Sequence, residues 1–168
     1  HELPCKLDYR VIVMTGNAFC GNIGSETNRK FITWEPDLNQ KLAFMITVAE
    51  EWEANIIVDH ETFVKTNSGT IFLHRPLCDI SNPVLHKVQR YYELGSKIDK
   101  KGDEWMYEMQ ELELSSKWKI YNSAYEDFVK KDYDSAILQY EDYLKEHPDD
   151  LIAMKQIDVC KQKIEMEE

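Results

Sequence analysis

Apolar positions come in short runs along the first hundred residues and at helical spacing beyond them. Residues 9–15 are apolar and β-branched and predict a buried strand. Residues 18–24 predict a second strand, with Gly16-Asn17 as the tight turn between the two, and residues 29–34 a third. Pro36 then stands where helices tolerate proline, in the first turn, with Asp37 beside it to complement the positive helix end. Leu38, Leu42, Met45 and Ala49 follow at i, i+4, i+7 and i+11, one apolar face of a helix ending near Trp52. Residues 56–58 predict a short strand, 61–65 a short helix, 70–73 a strand and 84–94 the last strand. Interleaved this way, they predict an α+β domain with helices on one face of a mainly antiparallel sheet.

Residues 95–103 are rich in Gly, Lys and Asp and mark a boundary. The organisation expected is a sheet domain over 1–94, a linker with a possible helix over 95–116, and an all-α tail over 117–168. Tail helices are expected at 117–131, 134–146 and 149–164. Trp118, Tyr121, Tyr125 and Phe128 share one face, and Ala136, Tyr140 and Leu144 another. Pro148 follows the second stop, and Asp149 can cap a third helix carrying Met154, Ile157, Cys160 and Ile164. Trp118, Tyr125, Tyr140 and Leu144 are expected on an inner helix–helix face, with Met154 and Ile157 facing the sheet or another protein. These helices are too small to form a core alone, so they must dock on the sheet or on a partner.

The chain has 168 residues, 43% of them hydrophobic, enough for one core with an appendage. No apolar run approaches the roughly 20 residues of a membrane helix, and no signal-peptide pattern is present. An intracellular segment without membrane contact of its own is expected, within a parent protein that can be membrane-tethered. The net charge of −11 is uneven. Residues 1–97 carry 10 basic against 12 acidic residues, a net of −2, and residues 98–168 carry 10 against 19, a net of −9. Such an acidic chain repels phosphate backbones, so no nucleic-acid partner is expected. Cys5, Cys20, Cys78 and Cys160 lack any CxxC spacing and read as reduced thiols, Cys20 buried and inert.

The stretch VIVMTGNAFCGNIGS, residues 11–25, sets Gly16, Gly21 and Gly24 behind a β-branched run. It leads through Phe31-Ile32-Thr33 to the helix and then to Ile56-Ile57-Val58, with Tyr91-Tyr92-Glu93-Leu94 closing the region. This order resembles the second half of a class III adenylate/guanylate cyclase domain over residues 8–94. The resemblance implies a ferredoxin-like, cyclase-type antiparallel sheet. The tail stretch DYDSAILQYEDYLKEHP resembles the second helix of a tetratricopeptide repeat, with Ala136, Tyr140 and Pro148 at that repeat's offsets.

In that family two metal ions and fixed donors stabilise the charge that develops as the ribose oxygen attacks the α-phosphate. The metal-binding aspartates belong to the first half of the domain, which the matched segment does not include. No metal site or cofactor is therefore assigned here, and Mg or Mn would enter only with that upstream half. The resemblance places Gln40 at the ribose-orienting Asn and Phe44 at the phosphate-neutralising Arg. Gln40 retains a donor, whereas Phe44 neutralises nothing. Pro36 replaces the glycine before the helix, and Met14 the usual His. Thr33 falls at the purine-selecting position and is compatible with adenine, although an ordinary β-branched strand residue explains it as well. Gln40 and Thr33 are the nucleotide-binding candidates, and no catalytic residue is intact.

Other chemistry is thinner. His60, His74 and His86 fall on separate elements and never at i, i+4, which argues against a metal site. Asp149-Asp150 reads as a helix start, Glu50, Glu51 and Glu53 as a solvated helix end, and Trp118 as a packing residue. Two function classes follow. One is a degenerate cyclase-homology domain acting as a structural or regulatory module, its helical tail an interaction surface. The alternative is the metal-bearing half of an asymmetric cyclase pair making cAMP or cGMP with a second cyclase-type domain. A tetratricopeptide-type scaffold on a sheet platform is a weaker third.

Overall fold

A computed structural model describes residues 9–34, 36–66, 72–97 and 118–167. The described elements are β1 (Val11–Val13), β2 (Phe19–Ser25), β3 (Asn28–Trp34), α1 (Leu38–Glu51), β4 (Ile56–Asp59), α2 (His60–Thr66), β5 (Phe72–Asn82) and β6 (Lys87–Lys97). A three-helix C-terminal region follows: α3 (Lys119–Val129), α4 (Tyr133–Glu146) and α5 (Leu151–Glu167). Most of the expected linker, 95–116, lies outside the described residues.

The fold is α+β, built on a mixed four-stranded sheet of order β1-β4-β6-β5. β1 runs parallel to β4, while β4–β6 and β5–β6 are antiparallel. β2 and β3 form a separate antiparallel hairpin. Gly16-Asn17 is therefore not a hairpin turn, because β1 pairs with β4 rather than β2. The hairpin turns at Glu26-Thr27, beside Gly24 at φ +133°, where a Cβ would stand 1.9 Å from the Asn28 carbonyl oxygen. Cys20 sits on this hairpin and is exposed, contrary to the expected burial. Hairpins of two strands have no interior in which to bury it.

α1 ends in a left-handed cap. Glu53 takes φ +51°, its N–H bonds to Glu50 O, and the Ala54 N–H reaches back to Ala49 O. Met45, Val48 and Ala49 are buried, and the ring of Phe44 meets Tyr91 edge-on at 6.0 Å. Tyr92, the next residue of β6, points to the opposite face. There Phe63 of α2 stacks on it at 4.1 Å. Helices thus cover both faces of the sheet rather than the single face expected, since Asp59 at the end of β4 caps the Thr62 N–H and folds α2 back over Tyr92.

β5 runs eleven residues, far beyond the expected 70–73, and crosses Pro76. It is an edge strand, and its register shifts between Pro76 and Cys78. Edge strands and irregularities are where a sheet accepts a residue without an N–H. The tail helices cover this edge. Asn122 donates to His74 O, Tyr121 to Pro76 O at 2.9 Å and Gln156 to Leu77 O at 2.7 Å. One hydrophobic cluster runs from Met45, Ile57 and Tyr91 through Leu77 to Tyr121, Tyr140, Ala153 and Cys160. Tyr125, Tyr140 and Ile157 are buried as expected and Leu144 is half-buried, whereas Met154 is exposed. Trp118 packs on the sheet, 2.7 Å from where a Cβ on Gly95 would stand, so Gly95 lies in a strand rather than in a boundary loop.

Candidate functional site

α1 carries the two positions that the resemblance singles out. Gln40, in its first turn, is exposed. Phe44, one turn on, is half-buried against Tyr91 and belongs to the margin of the core. Thr33 pairs with Cys20 in the β2–β3 hairpin, and its side chain lies outside the described residues. The structure joins Gln40 and Phe44 on one helix but turns only Phe44 inward.

Below the N-terminal half of α1, the ends of β4, β5 and β6 bring buried polar groups together. Asn82 donates to the Tyr91 hydroxyl at 2.8 Å, and its own carbonyl oxygen accepts from the Val84 and Leu85 N–H groups. Asp59, committed to capping α2, and Gln89 complete the cluster. The space they enclose with Thr15 and Lys41 is about 20 Å³. That holds roughly one water, whereas ligand pockets run to roughly 300–1,000 Å³. This cluster closes the fold and has no room for a nucleotide.

The densest electrostatic arrangement lies elsewhere, where the sheet meets the tail. Arg75 of β5, 7% exposed, bonds Glu93 of β6 at 2.7 Å and Asp150 at 2.5 Å. Its guanidinium also lies over the rings of Trp118 and Tyr121, at 4.8 and 4.9 Å. Burial opposes the charge, but Glu93, Tyr121 and Asp150 outweigh it and hold Arg75 firmly protonated. Asp150 also accepts from the Tyr143 hydroxyl and caps the Ile152 and Ala153 N–H groups. It does the work expected of Asp149. Burial would raise its pKa, yet the charge and hydrogen bonds of Arg75 carry it below the usual carboxylate value. A cleft of about 760 Å³ opens over this cluster, with Glu146, His147 and Asp149 on its rim.

Sequence reasoning missed Arg75, Glu93, Tyr121 and Gln156 as the groups that fasten the tail. The signal available was Arg75 and Glu93 each interrupting an apolar run, as paired buried charges do. His60 and His74 both gather around Tyr92 and Phe63, the His60 Nδ1 lying 3.1 Å from the Tyr92 hydroxyl. Burial lowers the pKa of His74. Among the described residues no group of three or more His, Cys, Asp or Glu is placed to hold a metal ion. No helix among them is long and apolar enough to cross a membrane. No family model, curated protein or solved structure matches the chain.

Proposed function

We propose that the chain is the second half of a degenerate nucleotide cyclase-homology domain, of ferredoxin-like cyclase type, with a helical interaction tail. It serves as a non-catalytic structural or regulatory part of a larger intracellular protein or assembly. The observation that carries this reading is Phe44. At the position where the family needs a phosphate-neutralising cation, this chain packs an aromatic ring against Tyr91. A cation lost from such a place removes several kcal/mol of transition-state stabilisation, of the order of 3 kcal/mol.

The exposed apolar residues support a protein partner of the second-domain kind. Phe19, Ile23 and Phe31 of the hairpin are 65%, 58% and 70% exposed, and Leu42 and Ile46 add a strip along α1. β1 is an edge of the four-stranded sheet.

The test is direct. Purified chain, incubated with ATP or GTP and Mg or Mn, yields no cyclic nucleotide. Metal-dependent cyclic product from the chain alone overturns the proposal. Synthesis restored by a complementary domain that supplies intact Asn and Arg, together with the family's upstream aspartates, would favour the paired-enzyme reading instead.

A further inference from the structure

α5 is apolar on two sides. Ile152, Ile157 and Cys160 are buried in the common core. Leu151 and Met154, one turn apart, stay 53% and 39% exposed. With Val159 they line a groove of about 490 Å³ between α5 and the end of α1. Its rim is acidic, formed by Glu51, Glu53 and Asp158.

These carboxylates stand where negative charge is least welcome. The C-terminal end of a helix is itself partly negative and favours cations in its last turn. α1 has no basic residue there and ends in Glu50-Glu51. Glu53 follows at φ +51°, a conformation that glycine adopts more easily. One cation answers them, and it comes from the tail. Lys155 bonds the carbonyl and the carboxylate of Glu51 and lies over the Trp52 ring at 4.9 Å. An ammonium group is thus already seated at this end of α1. Glu53 and Asp158 are exposed, and among the described residues neither has a cation within ion-pair distance. The net charge of −11 draws further cations toward the same surface and repels a second copy of the chain.

We propose that this groove docks a basic segment of a partner protein, with one apolar side chain on Leu151 and Met154 and flanking lysines or arginines on Glu53 and Asp158. The proposal rests on the interaction role proposed for the tail and not on the cyclase resemblance, which the nucleotide assay tests separately.

The probe is the acetylated, amidated peptide Lys-Arg-Leu-Lys-Arg, with Lys-Arg-Ser-Lys-Arg as its equally charged counterpart. Methionine methyl resonances of the full chain are followed by NMR at low salt, with Met154 identified by its loss in Met154→Leu. The leucine peptide shifts the Met154 signal saturably and binds roughly tenfold more tightly than the serine peptide. Glu53→Gly relieves the left-handed backbone and keeps the fold, yet weakens binding roughly threefold, as the loss of one exposed pair would. Glu53→Lys combined with Asp158→Lys abolishes the saturable shift. Glu141→Lys, at an exposed carboxylate outside the groove, changes affinity by less than about twofold. The proposal is overturned by no saturable shift at Met154, or by equal affinity for the two peptides, which would show only attraction of cations to an acidic chain. It is overturned equally by a loss in Glu141→Lys as large as that in the double variant. A Met154 shift on concentrating the chain without peptide would assign the groove to a second copy and overturn it too.

Discussion

Arg75 and Asp150 meet at 2.5 Å across 75 residues of sequence, and their contact fastens the start of the last helix to the sheet edge. Both are largely buried, at 7% and 14% side-chain exposure. Removing Asp150 leaves Arg75 with Glu93 as its remaining carboxylate. Asp150→Ala also deletes the cap on α5 and the acceptor of the Tyr143 hydroxyl. It should lower stability by about 2–4 kcal/mol in urea unfolding, from one charged hydrogen bond and one helix cap together. A loss under about 1 kcal/mol, the value of an exposed pair, would show that the contact is solvated.

The same pair sets a pH dependence. Asp150 has a folded pKa below its ordinary 3.8, because Arg75 and its hydrogen bonds overcome the opposing effect of burial. A depressed carboxylate contributes stability that is complete above the unfolded pKa and is lost as pH falls through the folded one. Unfolding free energy should therefore fall with pH below about 4. Asp150→Asn should flatten that part of the profile, and an unchanged slope would assign the acid sensitivity to other carboxylates.

Gly95 offers a more local test. An added Cβ would stand 2.7 and 2.8 Å from the Trp118 ring and 3.2 Å from Leu73. Gly95→Ala should cost about 1–3 kcal/mol by overpacking. Trp118→Leu should relieve the clash, so a double-mutant cycle should show coupling between the two substitutions. Additive effects would mean that the ring moves aside freely.

These features separate what the sequence shows from what it cannot. α1 and the three tail helices are readable because apolar residues recur at helical spacing and stop at Pro148 or short of Pro36. The two left-handed caps, at Glu53 and Lys131, are invisible because neither is glycine. β5 is lost after Leu73 because Arg75 and Pro76 break its apolar run. Arg75 becomes a strand residue only through Glu93 and Asp150, which lie 18 and 75 residues away. For the site, the absence of a cation at position 44 is plain from sequence. That the replacement packs on Tyr91 emerges only once β6 lies under α1.

Phe44→Arg sharpens that point. Arginine can extend toward solvent, but it gives up the edge-on contact with Tyr91 and brings a charge to the core margin. It should cost about 1–3 kcal/mol in unfolding. No cyclic nucleotide should appear with ATP or GTP and Mg. A gain of synthesis in the isolated chain would mean that one cation had completed a working site, contrary to the degenerate reading.

The tail provides the last prediction. Read from sequence alone, removing residues 149–168 should loosen the first two tail helices and leave the sheet folded. The structure argues for a wider effect. α5 supplies Ile152, Ala153, Ile157 and Cys160 to the cluster that also holds Leu77 and Tyr91. Its Gln156 satisfies both Leu77 O and the Tyr121 hydroxyl, deep in the seam. Buried apolar side chains contribute roughly 1.5–3 kcal/mol each, and whole domains are stable by only about 5–15 kcal/mol. Loss of α5 should therefore unfold the tail and destabilise the sheet together. The full chain should show one coincident transition by far-UV circular dichroism and by tryptophan fluorescence, whose four reporters include Trp52 on the sheet side and Trp118 at the seam. The truncated chain should lose the native signal of both probes. A truncated chain that keeps a protease-resistant sheet with a native Trp52 environment would show that α5 only borders the core, and that sheet and tail are separate cooperative units.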